Sequence, residues 1–243
     1  MSRTRVSNGL EGLTVLVVDD DADCRDLLKE FLGGCGATCI CTSSGRLAID
    51  EFSRSPPDIL VSDLWMTDGD GFDLIRRIRT MRPDQGGLIP AIAVSAGSNA
   101  EQALMAGYHV LLAKPYDPQR LVEIIDQFVR ADNETPSLQA PWTLSTPSEG
   151  VVLMTFADVQ AGDVRAAMAV LRSHLEKPCE IIADCQRVTS FALPAASVAE
   201  RAVWARRHHI RHVRVISGSG LARLVAAAAC TVLGLKYKVE SGR

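Results

Sequence analysis

The chain has 243 residues, of which 47 % are hydrophobic and 23 % charged, ordinary values for a folded protein that exclude disorder for its bulk. At about 100–150 residues per domain the length predicts two domains, and no apolar run reaches the roughly 18 residues of a membrane span, so membrane insertion is not expected. The net charge of −3 hides an asymmetry: residues 1–149 carry 13 basic and 22 acidic side chains, residues 150–243 carry 13 and 7, so an acidic half precedes a basic one.

Leu13 to Val18 is a short apolar, β-branched run that ends in Asp19, Asp20 and Asp21. Such runs predict strands buried on both faces of a parallel sheet. Leu27, Leu28, Phe31 and Leu32 follow at helical spacing, and Gly33, Gly34 and Gly36 stop that helix. Thr38 to Thr42 reads as a strand, Arg46 to Arg54 as a helix ended by Pro56 and Pro57, and Ile59 to Ser62 as a strand ending at Asp63. Gly69 and Gly71 form a turn before a helix carrying Phe72, Leu74, Ile75 and Ile78. Ala91 to Ser95 is a strand, Ala100 to Ala106 a short helix, Val110 to Ala113 a strand stopping at Lys114-Pro115, and Leu121 to Val129 a closing helix. Five strands alternating with five helices over 13–131 predict a doubly wound α/β sheet.

Residues 132–149 contain Pro136, Pro141 and Pro147 among small polar residues and read as a linker. Trp142 and Leu144 are unusual in a free linker and are expected to pack onto one domain. Residues 150–243 read as a smaller α/β domain of about four strands (Val151 to Phe156, Cys179 to Ala183, His212 to Ile216, Leu235 to Val239) and three helices (Ala161 to Leu175, Ala195 to His208, Leu221 to Leu233).

No apolar stretch of about 7–15 residues follows Arg3 and Arg5, so a secretory leader is not expected. The odd set of cysteines (Cys24, Cys35, Cys39, Cys41, Cys179, Cys185 and Cys230) then predicts reduced thiols and a cytoplasmic location. Cys35, Cys39 and Cys41 lack the further ligands of a zinc site and read as small buried residues.

In an open α/β sheet, functional groups gather at the carboxyl ends of the strands. Those ends carry Asp19 and Asp20, Asp63, Ser95 and Lys114. Three neighbouring carboxylates repel one another and become tolerable around a divalent cation; Mg²⁺, a hard ion that takes oxygen ligands, suits them. A metal, an ammonium and a hydroxyl over an anionic floor suit a phosphoryl group, and an aspartate can itself be the nucleophile.

With Val17-Val18-Asp19-Asp20, the stretch Asp63-Leu64-Trp65-Met66-Thr67-Asp68-Gly69-Asp70-Gly71, Ser95-Ala96 and Lys114-Pro115 in this order, residues 13–131 resemble the receiver domain of bacterial two-component response regulators. The resemblance implies that Asp63 is the phospho-acceptor, that Asp20, Asp19 through water and the Trp65 carbonyl hold Mg²⁺ with Asp63, and that Ser95 is the switch hydroxyl. Lys114 would pair with a phosphoryl oxygen, and Pro115 would follow a cis peptide. It implies no enzyme activity beyond phosphotransfer to its own aspartate and loss of that group, a sensor histidine kinase as partner, and a phosphorylation-dependent homodimer as a further one. Thr67 where the family usually has proline, Leu111 where an aromatic switch residue is common, and only 18 residues between Ser95 and Lys114 depart from the pattern.

In the basic half, Arg201, Arg206, Arg207, His208, His209, Arg211, His212 and Arg214 invite a DNA-binding reading, the alternative being a transcription factor. The cluster instead ends a helix and runs into a β-branched segment, so DNA is not the expected partner and a solvated face is. The alternation of elements, with Ile181-Ile182-Ala183-Asp184 followed by Val188-Thr189-Ser190-Phe191, resembles the STAS fold of anti-sigma-factor antagonists. This resemblance implies an output through contacts with a protein partner. Ala192-Leu193-Pro194-Ala195 stands where regulated members carry a phosphorylatable serine, and Ser190 and Ser197 read as turn or cap residues. His174, His208, His209 and His212 read as surface residues, and Ser217-Gly218-Ser219-Gly220 as a helix-entry turn. No nucleophile–base pair supports an enzymatic output.

Overall fold

The structure, a computed structural model, describes residues 9–67, 69–97, 99–131, 141–158, 160–188 and 194–241. These fall into two compact units, each with its own five-stranded sheet.

The first unit runs β1 (Thr14–Val18), α1 (Ala22–Gly34), β2 (Thr38–Thr42), α2 (Gly45–Arg54), β3 (Ile59–Asp63), a small hairpin of β4 (Trp65–Met66) and β5 (Gly69–Asp70), α3 (Gly71–Arg79), β6 (Ala91–Ser95), α4 (Ala100–Ala106), β7 (Val110–Ala113) and α5 (Pro118–Ala131). The five long strands are parallel in the order β2-β1-β3-β6-β7. All of β6 and four of the five residues in each of β1 and β3 are buried, the outcome of apolar runs without alternation. Because crossovers are right-handed, the reversal of direction between β1 and β3 sends helices to both faces and opens a crevice at their carboxyl ends. Ile75 and Ile78 on α3 are fully buried. Burial of each side chain of this size contributes about 2 kcal/mol. Asp21 caps α1 by accepting hydrogen bonds from the Asp23 and Cys24 amides.

The second unit runs β8 (Trp142–Ser148), β9 (Val151–Phe156), α6 (Ala161–His174), β10 (Cys179–Asp184), α7 (Ala195–Val203), a 3₁₀ segment (Trp204–His209), β11 (Ile210–Ser217), α8 (Gly220–Val232) and β12 (Tyr237–Ser241). Its sheet has the order β12-β11-β10-β9-β8, parallel except for β8, which pairs antiparallel with β9. Successive parallel strands advance in one direction, so right-handed crossovers carry α6, α7 and α8 to the same face. Burial agrees: Val152 and Met154 of β9 and Val213 and Val215 of β11, each pair two positions apart, join one cluster with Val164, Met168, Val198 and Cys230 of the helices. Among the described residues, helices of its own thus cover both faces of the first unit's sheet and one face of the second's.

Four expectations for this half are corrected. Residues 142–148, read as the end of a linker, form the edge strand β8, so the sheet has five strands rather than four. Trp142 and Leu144 alternate onto the core as partly buried residues, and Pro147 falls where the register shifts between Ser145 and Ser148, a position in an edge strand that needs no ladder hydrogen bond. The helix expected to reach His208 ends at Val203 and continues as a 3₁₀ segment, in which Arg207 donates to the Trp204 carbonyl at 2.9 Å and lies over its ring. The last strand begins at Tyr237 rather than Leu235, because Gly234, at φ +65°, closes α8 and the Leu235 amide donates to the Cys230 carbonyl at 2.9 Å.

All seven cysteines are free thiols, partly or fully buried. Burial pushes Cys39 and Cys185 up to about 11 and Cys230 up to about 12, so they stay protonated and unreactive near neutral pH.

Candidate functional site

The carboxyl ends of β1, β3, β6 and β7 bring together the residues singled out in the sequence. Asp19 and Asp20 follow β1, Asp63 and Ser95 end β3 and β6, and Lys114 follows β7. Asp19, Asp20 and Asp63 each place a carboxylate oxygen within 4.8 Å of the others. Lys114 is the counter-charge: its Nζ donates to Asp19 Oδ2 at 2.9 Å and to Asp63 Oδ2 at 2.6 Å. Burial alone would lower the ammonium's pKa, but the hydrogen bonds to Asp63 and Asp19 outweigh it and hold Lys114 protonated well above its ordinary range. The Lys114–Pro115 peptide is cis.

The second oxygen of each bridged carboxylate is held by backbone. Asp19 Oδ1 accepts from the Asp21 amide at 2.9 Å, and Asp63 Oδ1 from the Trp65 amide at 3.0 Å. Asp20 Oδ2 accepts from both the backbone amide (2.8 Å) and the hydroxyl of Thr67. These bonds, the hydroxyl's first, hold the Asp20 carboxyl below its ordinary pKa. Ser95 is fully buried and its Oγ accepts from the Gly97 amide at 3.2 Å.

The loop after Asp63 is fixed from beneath. The Gly71 amide donates to the Leu64 carbonyl at 3.0 Å, and a Cβ at residue 71 would stand 2.3 Å from the Asp63 carbonyl oxygen. Only glycine permits that approach. The buried Tyr108 donates its hydroxyl to the Gly71 carbonyl at 2.8 Å, and Arg25 Nη1 donates to the Asp19 carbonyl at 2.6 Å. Sequence reasoning assigned no role to Tyr108 or Arg25 and saw Thr67 only as a departure from a pattern. No local signal marks them, because each acts on a residue 6 to 47 positions away.

Three hard oxygen donors carrying three negative charges against one ammonium fit a divalent cation that prefers oxygen ligands. Asp68 lies outside the described residues.

In the second unit, Ser217-Gly218-Ser219-Gly220 is a helix entry: Ser219 caps α8 through the Ala222 amide. Ser197 is not a turn or cap residue but lies within α7, buried, accepting from Arg201 at 2.7 Å. Arg206 and His209 bond the Leu175 carbonyl at 3.2 and 2.6 Å, and Arg214 pairs with Glu180 at 2.7 Å, so part of the basic cluster is spent within the unit. Thr189, Ser190, Phe191, Ala192 and Leu193, the turn on which the STAS resemblance leans, lie outside the described residues.

Residues 15–126 match the family model for the response regulator receiver domain. An uncharacterized 14.6 kDa protein of Leptolyngbya boryana is 38 % identical over 125 residues, 50 % of this chain and 94 % of that one. The chemotaxis protein CheY of Thermotoga maritima is 30 % identical over 117 residues, 48 % of this chain and 97 % of that protein. The DNA-binding transcriptional regulator NtrC of Klebsiella pneumoniae is 32 % identical over 116 residues, 46 % of this chain but 24 % of that regulator, so the chain matches about a quarter of its length. With receiver strand order, strand-end carboxylates and bridging lysine all in place, the chain belongs, through its first unit, to the response regulator receiver family of two-component systems.

Proposed function

We propose that this protein is a response regulator in which Asp63 accepts a phosphoryl group from a sensor histidine kinase and the second unit carries the output. Receiver domains are signalling modules phosphorylated by histidine kinases, and they typically bind Mg²⁺ through an acidic pocket. The observation that carries the reading for this chain is the bridge of Lys114 between Asp19 and Asp63, with Asp20 alongside.

Asp19, Asp20, Asp63 and the Trp65 carbonyl would hold Mg²⁺. When bound, the ion neutralises phosphoryl oxygens as charge builds on them. An oxygen of Asp63 attacks phosphorus, the phosphohistidine P–N bond breaks, and the mixed anhydride of aspartate and phosphate is left on β3. Lys114, already on Asp63, transfers its hydrogen bond to a phosphoryl oxygen. Ser95, at the end of the neighbouring strand, exchanges the Gly97 amide for the same group, which moves the loop after β6. That shift repacks the face of β6, β7 and α5 and biases a two-state element.

The second unit, residues 142–243, is read as a STAS-like output that signals through contacts with a protein partner. What supports this is its architecture: an antiparallel edge strand, four parallel strands in chain order and three helices on one face, with the Arg206-Arg207 segment tied to its own backbone.

Saturating beryllofluoride with Mg²⁺ tests the reading. Amide shifts at Asp63, Ser95 and Lys114 are expected in wild type and lost in Asp63→Asn. A wild-type spectrum unchanged by beryllofluoride would refute the assignment. A pull-down in the two states identifies what the output captures.

A further inference from the structure

We infer that Thr67 is a positioning residue for the metal site, a clamp that presents Asp20 to the cation through one oxygen; this rests on the assignment of Asp20 as a metal ligand above. Each of the other two carboxylates is held at both oxygens. Asp19 has the Asp21 amide on Oδ1 and Lys114 on Oδ2; Asp63 has the Trp65 amide on Oδ1 and Lys114 on Oδ2. Lys114 does not bond Asp20. Its place there is taken by an uncharged residue 47 positions away, which donates twice to the single atom Oδ2.

Two consequences follow from that arrangement. A carboxylate oxygen has two lone pairs, and two donors fill those of Oδ2, so Oδ1 is the atom with which Asp20 can meet a cation without giving up either bond. Asp20 is partly exposed, and in the absence of Thr67 its side chain would have to lose rotamer freedom as the cation bound. The clamp removes that cost beforehand, as groups that orient metal ligands do generally. Thr67 is also suited to the task by shape, because branching at Cβ restricts χ1 and keeps the hydroxyl aimed while the backbone amide fixes the same oxygen. The clamp further ties the loop that follows the acceptor to the end of β1, so the acceptor and the metal pair share one rigid frame.

The three carboxylates therefore have distinct supports. Lys114 serves Asp19 and Asp63 and passes its bond with Asp63 to the phosphoryl group, whereas Thr67 serves Asp20 alone and stays. Asp20 is thus the ligand whose position is independent of the phosphoryl group, and its clamp governs how tightly the cation is held before any phosphoryl group arrives.

The test is Mg²⁺ binding to the full chain by isothermal titration calorimetry, without any phosphodonor. Thr67→Val keeps the shape and removes the hydroxyl; Thr67→Ser keeps the hydroxyl. Thr67 is exposed, so both variants should fold, and thermal melts in EDTA verify it; Thr67→Ala replaces Thr67→Val if the latter melts early. Removing an orienting partner of a metal ligand typically weakens binding about 10–100-fold. We expect Thr67→Val to lie at the lower end of that range, about 10-fold weaker, because the backbone amide bond survives, and Thr67→Ser to bind within about 3-fold of wild type. Thr67→Val binding as tightly as wild type, or more tightly because the cation no longer competes with the hydroxyl, overturns the clamp. If wild type itself binds no Mg²⁺, or Asp20→Asn leaves binding intact, the failure lies instead with the assignment of the metal ligands.

Discussion

Replacing Lys114 with methionine keeps the aliphatic stem and removes the charge that joins Asp19 to Asp63. The side chains of these aspartates are 5 % and 11 % exposed, so little water is available to replace the ammonium. Two unit charges at the 4.8 Å limit of their oxygens repel by about 3 kcal/mol at an effective dielectric constant near 20. Lys114→Met should therefore destabilise the metal-free receiver by about 3 kcal/mol at pH 7, which for a unit of this size lowers Tm by about 10 °C. Mg²⁺ should raise the variant's Tm more than the wild type's, because it replaces the charge that Lys114 supplies to Asp19 and Asp63. Calorimetric melts at pH 7 in EDTA and in Mg²⁺ measure both effects. A variant melting within about 2 °C of wild type in EDTA at pH 7, or one that gains no more from Mg²⁺ than wild type does, would refute the reasoning.

Gly71→Ala pushes a methyl group into the Asp63 carbonyl and should cost about 1–3 kcal/mol, with slower labelling of Asp63 by acetyl phosphate; denaturant unfolding and a labelling time course measure the two effects. Trp142→Ala should cost about 2 kcal/mol, below the roughly 3–5 kcal/mol for losing a fully buried aromatic, because Trp142 is only partly buried; a residue in a free linker would leave denaturant stability unchanged. Asp20, with its pKa held down by Thr67, contributes stability present above its unfolded pKa and lost as pH falls through its folded one. Its carboxyl pKa, followed by NMR without metal, should therefore rise toward the ordinary value in Thr67→Val.

The receiver was legible in sequence because each central strand is an uninterrupted apolar run closed by a polar residue. Val15 to Val18 leads to Asp19, Ile59 to Val61 to Asp63 and Ile92 to Val94 to Ser95, and the edge strand Val110 to Ala113, less buried, stops at Lys114. Burial on both faces writes such runs, and parallel direction places their ends together. Two supports of the site were not legible, because Thr67 and Tyr108 act on carboxylate or backbone atoms 47 and 37 positions away. The second unit was harder for a related reason. Its sheet is covered on one face, so its strands alternate and are weaker signals, and β8 carries Pro147 at a register shift that reads as a loop until β9 is seen beside it. The basic cluster suggested a groove-binding element, yet Arg206, Arg207 and His209 close the 3₁₀ segment onto carbonyls of their own unit.

The central claim is that Asp63 accepts the phosphoryl group, and trapping the acyl phosphate tests it most directly. The full chain is treated with acetyl phosphate and Mg²⁺, reduced with borohydride, and mapped by peptide mass spectrometry. Borohydride converts an aspartyl phosphate to homoserine, so the account predicts homoserine at position 63 and none at Asp19 or Asp20, with the signal abolished by EDTA and by Asp63→Asn. Homoserine at another aspartate, or undiminished trapping in Asp63→Asn, would contradict it.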